Sequence, residues 1–444
     1  MTISNTINSS ILKLAIPNIV TNITVPLLGL VDLALMGQLG NPVYIGAIAI
    51  GSIIFNIIYS SFNFLRMGST GFTAQAVGAK QKDEISLVLI RSLLVALGLA
   101  TIVILFQYPI QWLSFKILGG SEDVRLLAQE YFYIRIWAAP ATIGLYAFFG
   151  WFLGVQNAKV PMIIALVINV VNILLNFLFV NGFGMTSDGV AIATVIAQYS
   201  GLFLAIYFLL SMYKDYVKKF PVIIVLQTKA IVRFFKVNTD IFIRTLLLLL
   251  TLAFFTNTSA KHGDDILAIN TLLFQFFFIF SYFADGFAFA GEALTGKAFG
   301  ANKRDMLKKT ITKLFYWGWG AAFLTSVVYA IGINTFMGIM TNNSELLMMA
   351  RDYNIWVILI PITSTGAFIW DGIYVGVTAS KEMRNAMIIS SLLVFLPAYY
   401  LTSNHWGNDA LWFALNTFMV ARTLLMWAMW QRIKGRKAIT VYTQ

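Results

Sequence analysis

The sequence predicts an all-α polytopic membrane protein, with twelve transmembrane helices in two six-helix lobes related by a parallel repeat. Of its 444 residues, 59% are hydrophobic and 11% are charged, whereas about 25% are charged in an average soluble domain. The apolar residues form twelve segments, each long enough for the roughly 20 residues of helix that cross a bilayer. The two halves of the chain also resemble each other at a fixed shift, as shown below.

The twelve segments run approximately over 11–36, 44–72, 86–108, 126–153, 160–181, 188–212, 230–259, 265–296, 308–332, 346–378, 384–403 and 408–431. The N-terminal stretch MTISNTINSS lacks the charged start and small-residue cleavage site of a signal peptide. We therefore expect the first helix to be retained. Cysteine is absent, which excludes disulfides and thiolate metal sites.

Basic residues predict the orientation, because cytoplasmic loops carry an excess of Lys and Arg. Twenty-two of them fall on one side of the predicted topology: Lys13, Lys80, Lys82, Lys159, six from Lys214 to Lys236, six from Lys297 to Lys313, Lys381, Arg384, and four from Arg432 to Lys437. The other side holds Lys116, Arg125 and Lys261. We expect both termini to face the cytoplasm.

The sequence repeats at half its length: several residues of the first half match the residue type found half a chain later. We call this displacement the half-chain shift. It carries Thr73, Ala76, Gly78, Ala79 and Asp83 onto Thr295, Ala298, Gly300, Ala301 and Asp305, and Gly150, Gly154, Val155 and Lys159 onto Gly372, Gly376, Val377 and Lys381. The fourth helix of each half thus carries a G-x-x-x-G, a signal for close helix packing. Each half begins in the cytoplasm, so the repeats are parallel, and transporters of this plan bind substrate between their halves.

This repeat sets the predicted domains. We expect an N-terminal lobe over 1–213, a cytoplasmic linker over 214–228, and a C-terminal lobe with a basic tail over 229–444.

One carboxylate, Asp32, interrupts the first apolar segment, ILKLAIPNIVTNITVPLLGLVDLALMG. A charge at this depth costs roughly 2.5–3.5 kcal/mol on insertion scales and marks a functional site by default. Helical spacing places on the same face Asn18, Asn22, Val25 and Gly29. Pro17 and Pro26 also lie in the segment and predict a bend. An ion-coupling role is the main hypothesis, and a structural Asp bonded to a neighbouring helix is the alternative.

Polar stripes on three further helices predict a wet pocket around Asp32, because lipid offers no hydrogen bonds. The fifth helix carries Asn169, Asn172 and Asn176; the second carries Ser52, Asn56, Ser60 and Asn63; and the sixth carries Thr194 and Gln198. Desolvation in such a pocket favours the neutral acid, so Asp32 is a candidate to take up and release a proton. Amides that only hold helices together are the alternative for the asparagine run.

The second half carries more intramembrane charges. Asp240 and Arg244 are four residues apart on the seventh helix, a spacing that allows them to pair, and we favour a structural role for such a pair over a catalytic one. Asp285 shares a face of the eighth helix with Glu292, and Asp371 shares a face of the tenth with Tyr374 and Thr378. We take five residues as substrate or second-lobe candidates: Asp285, Asp371, Tyr374, Asp240 and Arg244. For Arg66, Arg135 and Arg422, near helix ends, snorkelling to the interface is the plainer expectation.

Several function classes are excluded. His262 and His405 are the only histidines and show no ligand spacing, so no metal site is expected. No phosphate-binding or nucleophile motif is present. The net charge of +12 lies in loops and forms no nucleic-acid stripe. We expect no enzyme activity and no cofactor, with energy supplied by an ion gradient or by a partner.

Six stretches resemble the multidrug and toxic compound extrusion (MATE) family, and within it the DNA-damage-inducible protein F (DinF) branch: GLVDLALMGQLG (29–40), NILLNFLFVNGFG (172–184), DGVAIATVIAQYSG (188–201), DIFIRTLLLLL (240–250), DGFAFAGEALTGKAFGA (285–301) and DGIYVGVTASKEMRNAM (371–387). The resemblance implies two six-helix lobes in a V-shape. It also implies export of organic, often cationic or amphipathic, compounds against entering H⁺ or Na⁺.

By this resemblance, Asp32 matches the first-helix acid of an ion site, to which Asn172 and Thr194 also belong. The chain departs from sodium-competent members at Asn176, where they carry a second acid. A hard cation needs oxygen ligands with enough negative charge, so H⁺ is preferred over Na⁺. Asp285 and Asp371 match acids of the branch's second lobe.

The resulting hypothesis is a monomeric antiporter of the inner (plasma) membrane that exports small organic molecules as Asp32 is protonated. Na⁺-coupled efflux is one alternative. A flippase for lipid-linked oligosaccharides shares the two-lobe plan, but it would need several cations for a pyrophosphate, and the intramembrane charges here are mostly acids. A membrane-embedded hydrolase, a passive channel and a scaffold are the remaining rivals.

Overall fold

The computed structural model describes residues 3–38, 41–341 and 343–434, and nearly all of them are helical. No strand occurs in these ranges. Within the first helix, the side chains of the following residues lie outside the described part: 3–5, 25–28, 30, 32–34, 36 and 38. Asp32 is among them, so its backbone is placed in a helix and its side chain is not described.

The chain divides into two compact units. The N-terminal unit is Val20–Val232, and the C-terminal unit combines Met1–Ile19 with Arg233–Gln444. The first half of the first helix therefore belongs to the C-terminal unit. The predicted lobes over 1–213 and 229–444 stay a prediction.

The N-terminal unit is built from the second half of the first helix and the nine helices that follow. Their bounds are α1 (Ile3–Gln38), α2 (Pro42–Phe62), α3 (Phe64–Gly78), α4 (Lys82–Leu105), α5 (Gln107–Ile117), α6 (Glu122–Arg135), α7 (Ala139–Gly154), α8 (Lys159–Phe177), α9 (Ser187–Met212) and α10 (Val222–Val225). A π-helical turn over Leu178–Gly182 extends α8.

The C-terminal unit contains the long helices of the second half. Their bounds are α11 (Thr228–Lys261), α12 (Asp264–Gly300), α13 (Arg304–Met340), α14 (Ser344–Ala350), α15 (Asn354–Gly376), α16 (Ser380–Ile389), α17 (Leu396–Trp406) and α18 (Asn408–Ile433). A second π-helical turn, Ser390–Phe395, joins α16 to α17.

Eleven helical stretches between Pro42 and Ile433 are long and apolar enough to cross a membrane, within the residues described. They coincide with the second to twelfth predicted segments, and the long helix α1 covers the first. The predicted all-α polytopic fold is confirmed.

The internal repeat is visible in the backbone. Four residues other than glycine have positive φ in the described chain, and the half-chain shift relates them in two pairs: Lys80 with Asn302, and Gln156 with Thr378. Each follows a helix end in a Schellman turn. In the first pair, for example, the amide of residue 81 donates to the carbonyl of Ala76 at 3.0 Å, and the amide of Lys303 donates to that of Ala298 at 3.0 Å.

The two G-x-x-x-G motifs pack α7 on α3 and α15 on α12. A Cβ on Gly150 would overlap the carbonyl oxygen of Arg66, and a Cβ on Gly372 would overlap that of Ala288. Positions 66 and 288 are again related by the half-chain shift. The close packing predicted from these glycines is therefore present in both units, at equivalent places.

Arg91 and an ion pair between Lys218 and Asp83, at 2.7 Å, hold the segment between α9 and α11 against α4. Arg91 of α4 donates from Nε to the carbonyl of Val225 at 2.9 Å and from Nη2 to that of Ile224 at 3.0 Å. Its Nη1 also pairs with Glu84 at 3.1 Å. The predicted linker thus lies against α4.

Candidate functional site

The asparagine run on α8 forms a hydrogen-bonded chain with α9. Asn176 Nδ2 donates to Asn172 Oδ1 at 2.9 Å, and Asn172 Nδ2 donates to Thr194 Oγ1 at 3.1 Å. Thr194 in turn donates to the carbonyl of Val190 at 2.9 Å. Asn172 and Asn176 are fully buried. The structure therefore brings together three of the residues predicted for the ion site.

A further bond ties this face of α8 to α1. Asn169 Nδ2 donates to the carbonyl of Thr24 at 3.2 Å. Thr24 and Asp32 are eight residues apart, which places them about 80° apart around α1 and about 12 Å apart along it. Asn169 and Asn176 are seven residues apart on α8 and share a face. The polar face of α8 therefore contacts α1 about two turns before position 32.

The remaining pocket candidates of the first half differ in their surroundings. Asn18 is buried and donates to the carbonyl of Leu14 at 2.8 Å, within the part of α1 that belongs to the C-terminal unit. Asn22 and Gln198 are half-buried. The burial expected of the α2 stripe is not seen at Asn56, whose side chain is exposed.

Asn63 sits at the break between α2 and α3, where its Oδ1 accepts a hydrogen bond from Arg66 Nε at 3.2 Å. Only 8% of Arg66 is exposed. Snorkelling was therefore the wrong expectation for Arg66, because an arginine that is both buried and hydrogen-bonded does not keep its head group in water.

A buried charge cluster occupies the C-terminal unit. Asp371 Oδ2 accepts from Arg244 and, at 2.6 Å, from Arg422 Nη2. The side chains of Asp371, Arg244 and Arg422 are 7%, 11% and 3% exposed. We call these three residues the Arg–Asp–Arg cluster. Two cations around one carboxylate leave a formal charge of +1.

The cluster is not fully satisfied internally. Asp371 Oδ1 and Arg244 Nε are buried and have no hydrogen-bond partner among the described residues. Asp285 of α12 is half-buried and lies within electrostatic range of Arg422. Buried polar atoms are nearly always paired, so these two atoms mark a place where a water or a substrate group can bind.

Two expectations about these charges were wrong. Arg244 does not pair with Asp240; Asp240 instead accepts from Arg384 Nη1 at 2.6 Å and from Ser380 Oγ at 2.9 Å. Arg422 does not snorkel, because it is buried against Asp371. Tyr374, placed on the same face as Asp371, is fully buried and donates to the carbonyl of Met426 on α18 at 2.7 Å.

Arg422 is the functional candidate that sequence reasoning missed. The available signal was its position: it lies in the middle of α18 (Asn408–Ile433), and an ionisable residue at such depth faces a partner by default. Glu292 of α12, which the sequence placed on the same face as Asp285, is also a buried ionisable residue, with 1% of its surface exposed.

Comparisons with known proteins agree with this fold. The MatE family model matches the chain twice, over residues 17–178 and 241–400, and the half-chain shift carries the end of the first match onto the end of the second. DNA damage-inducible protein F of Escherichia coli (strain K12) is 36% identical over 419 residues, which cover 94% of this chain and 91% of that protein. Multidrug export protein MepA of Staphylococcus aureus (strain MW2) is 22% identical over 414 residues, covering 90% and 89%.

Solved structures show the same fold. A MATE structure in the bent conformation superimposes with a TM-score of 0.86 at 18% identity and covers 98% of both chains. The Vibrio cholerae MATE transporter VcmN in its bent form gives 0.85 at 18% identity, covering 97% of this chain and 98% of that one. The family match over most of the chain and the relative at 36% identity lead to one conclusion: this protein belongs to the MatE family of multidrug and toxic compound efflux transporters, which are not enzymes.

Proposed function

We propose that this chain is an antiporter of the inner (plasma) membrane that exports organic cationic or amphipathic compounds in exchange for H⁺. Asp32 is the proton-coupling acid, and Asn172, Asn176 and Thr194 line its site. Both termini face the cytoplasm, as the distribution of basic residues predicts, and the working unit is a monomer.

The observation that carries the choice of proton is the amide chain on α8 and α9. Asn172 Oδ1 already accepts from Asn176, and Thr194 Oγ1 already accepts from Asn172. An amide or hydroxyl oxygen that accepts one hydrogen bond can still bind a cation, so these bonds alone do not exclude Na⁺. Because position 176 carries a neutral amide where a second acid would stand, the site offers a hard cation the negative charge of one carboxylate, whereas a proton needs one carboxylate.

The helix geometry supports placing Asp32 beside that chain. With a rise of 1.5 Å per residue, Asp32 lies about 12 Å along α1 from Thr24, and Asn176 lies about 10 Å along α8 from Asn169. The first and fifth spans cross the membrane in the same direction. Since Asn169 contacts Thr24, the backbone of Asp32 falls at nearly the depth of Asn176.

In this proposal, protonation cancels the charge of Asp32 and lets α1 repack near Pro17 and Pro26. The N-terminal unit then releases its substrate outward, and loss of the proton to the cytoplasm restores the cavity. Linkage makes the effect reciprocal: if the proton lowers the affinity for a substrate, the substrate lowers the affinity for the proton by the same factor.

The test compares Asp32→Asn with Asp123→Asn, since Asp123 is an exposed acid in the first turn of α6. Purified variants are placed in liposomes with an imposed pH gradient, and uptake of a fluorescent organic cation such as ethidium is followed. We expect Asp32→Asn to fold and to lose gradient-driven transport, with Asp123→Asn unchanged. Full activity of Asp32→Asn would overturn the proposal.

A further inference from the structure

A cavity of about 670 Å³ opens at one end of the C-terminal unit, where α11 begins and where α12, α15 and α18 end. We propose that this cavity binds a phosphate-bearing anion, either the headgroup of an anionic phospholipid or a free phosphate. The site is separate from the proposed proton pathway and does not depend on it. Its volume falls within the range of about 300–1,000 Å³ typical of small-molecule sites.

The lining of the cavity is strongly basic. Five cations line it: Arg233, Lys236, Lys381, Arg432 and Lys434. The acids in the lining are Asp240 and Glu382, and both oxygens of Asp240 are already engaged by Arg384 and Ser380. The lining therefore carries a formal charge of +3. Like charges gathered around one cavity repel one another, and a bound anion relieves that repulsion.

The repeat shows that this space is not an inevitable feature of the fold. In the N-terminal unit the corresponding wall is covered by aromatic rings that follow α9. Tyr213 and Tyr216 contact Trp151 edge to face, with ring centroids 5.2 and 5.8 Å away, and the hydroxyl of Tyr213 accepts from Asn157 Nδ2 at 2.8 Å. Both tyrosines pack on the hydrophobic core beside Val155.

The wall positions correspond one by one. The half-chain shift aligns four wall residues of the N-terminal unit with four residues that line the cavity. The aligned pairs are Val77 with Phe299, Val155 with Val377, Asn157 with Ala379, and Lys159 with Lys381. The same shift aligns the two covering tyrosines with Gly435 and Ala438. These two residues carry no ring, and they lie outside the described residues. One repeat thus fills this space with its own side chains, whereas the other lines it with lysines and arginines.

The position of the cavity suits a phosphate at the membrane surface. All five lining cations fall on the side that the positive-inside rule assigns to the cytoplasm. The cytoplasmic leaflet is negatively charged, and basic pockets between membrane helices on that side bind phosphorylated headgroups. Trp430, whose indole suits the headgroup region, lines the cavity as well.

The test measures binding of three probes to the purified full-length protein in a neutral detergent: a short-chain phosphatidylglycerol, the matching phosphatidylcholine, and inorganic phosphate. The variant is K236Q/K381Q/K434Q, which removes three exposed cations from the cavity. Its control is K80Q/K82Q/K159Q, which removes three lysines from the same predicted side, Lys159 being the counterpart of Lys381. Neither set touches the proposed proton site, so both should retain transport.

At about fivefold per lysine near a membrane surface, the cavity variant should bind phosphatidylglycerol about a hundredfold more weakly, with the control unchanged. Competition by inorganic phosphate would identify a free phosphate as a ligand, and phosphatidylglycerol binding that phosphate does not displace would identify the lipid. Equal affinity for phosphatidylcholine, no binding of either anion, or equal losses in both variants would overturn the proposal.

Discussion

Neutralising Asp371 should destabilise the C-terminal unit more than any other single charge change in the Arg–Asp–Arg cluster. Asp371→Asn leaves Arg244 and Arg422 buried side by side with no anion between them. Breaking a buried ion pair by removing one partner costs about 3–5 kcal/mol. In contrast, Arg244→Leu leaves Asp371 paired with Arg422, a neutral pair, and should cost less.

The assay is thermal unfolding of the purified protein in detergent, followed by the loss of monodisperse protein. For a unit of this size, about 1 kcal/mol shifts Tm by about 2–4 °C, so Asp371→Asn should lower Tm by about 6–20 °C. Asp352→Asn, which removes an exposed acid from the same unit, is the control and should stay within about 2 °C, as expected of a surface change. Equal small shifts for both variants, or a larger shift for Arg244→Leu, would refute the reasoning.

Three further outcomes are expected. Gly372→Ala should lower Tm, because the added Cβ would overlap the backbone of α12. Its control is Gly320→Ala, whose Cβ faces open space and which should raise Tm slightly because alanine has the higher helix propensity. Equal effects of the two variants would count against the packing argument. Arg91→Met should loosen the segment 214–228 and speed its cleavage in limited proteolysis, and an unchanged cleavage rate would contradict its anchoring role. Asn176→Asp adds an acid to the proposed site and should introduce Na⁺-dependent transport, which a flat response to Na⁺ would reject.

Hydropathy and the half-chain shift predicted the helices well, because both can be read from the sequence without knowing how the helices pack. The spans that begin at Pro42, Lys82 and Asn408 fall where the apolar segments were drawn. The repeat reappears as paired positive-φ turns at Lys80 and Asn302. These features depend on how one stretch of chain must fold in lipid, and a sequence carries that information directly.

The partners of the buried charges could not be predicted in the same way. Arg244 lies four residues from Asp240, which suggested a pair along one helix, but its partner Asp371 is 127 residues away. Asp240 is likewise bonded to Arg384, 144 residues away. Such contacts depend on how helices pack against one another, which no spacing within a single helix reveals.

The cluster also alters the balance of charge inside the C-terminal unit. The sequence suggested mostly acids there, yet Asp371 is held by two arginines, and its Oδ1 has no hydrogen-bond partner among the described residues. The C-terminal unit therefore buries charges of both signs. Asp285, within electrostatic range of Arg422, adds a second acid beside the cluster.

The measurement that tests the central claim most directly is transport by the unmodified protein in liposomes with pH and Na⁺ gradients imposed separately. Export coupled through one carboxylate beside a neutral amide chain requires that the pH gradient alone drive uptake of an organic cation. The Na⁺ gradient alone should then give no more uptake than no gradient at all. Uptake driven by Na⁺ at constant pH, with no response to the pH gradient, would contradict the account.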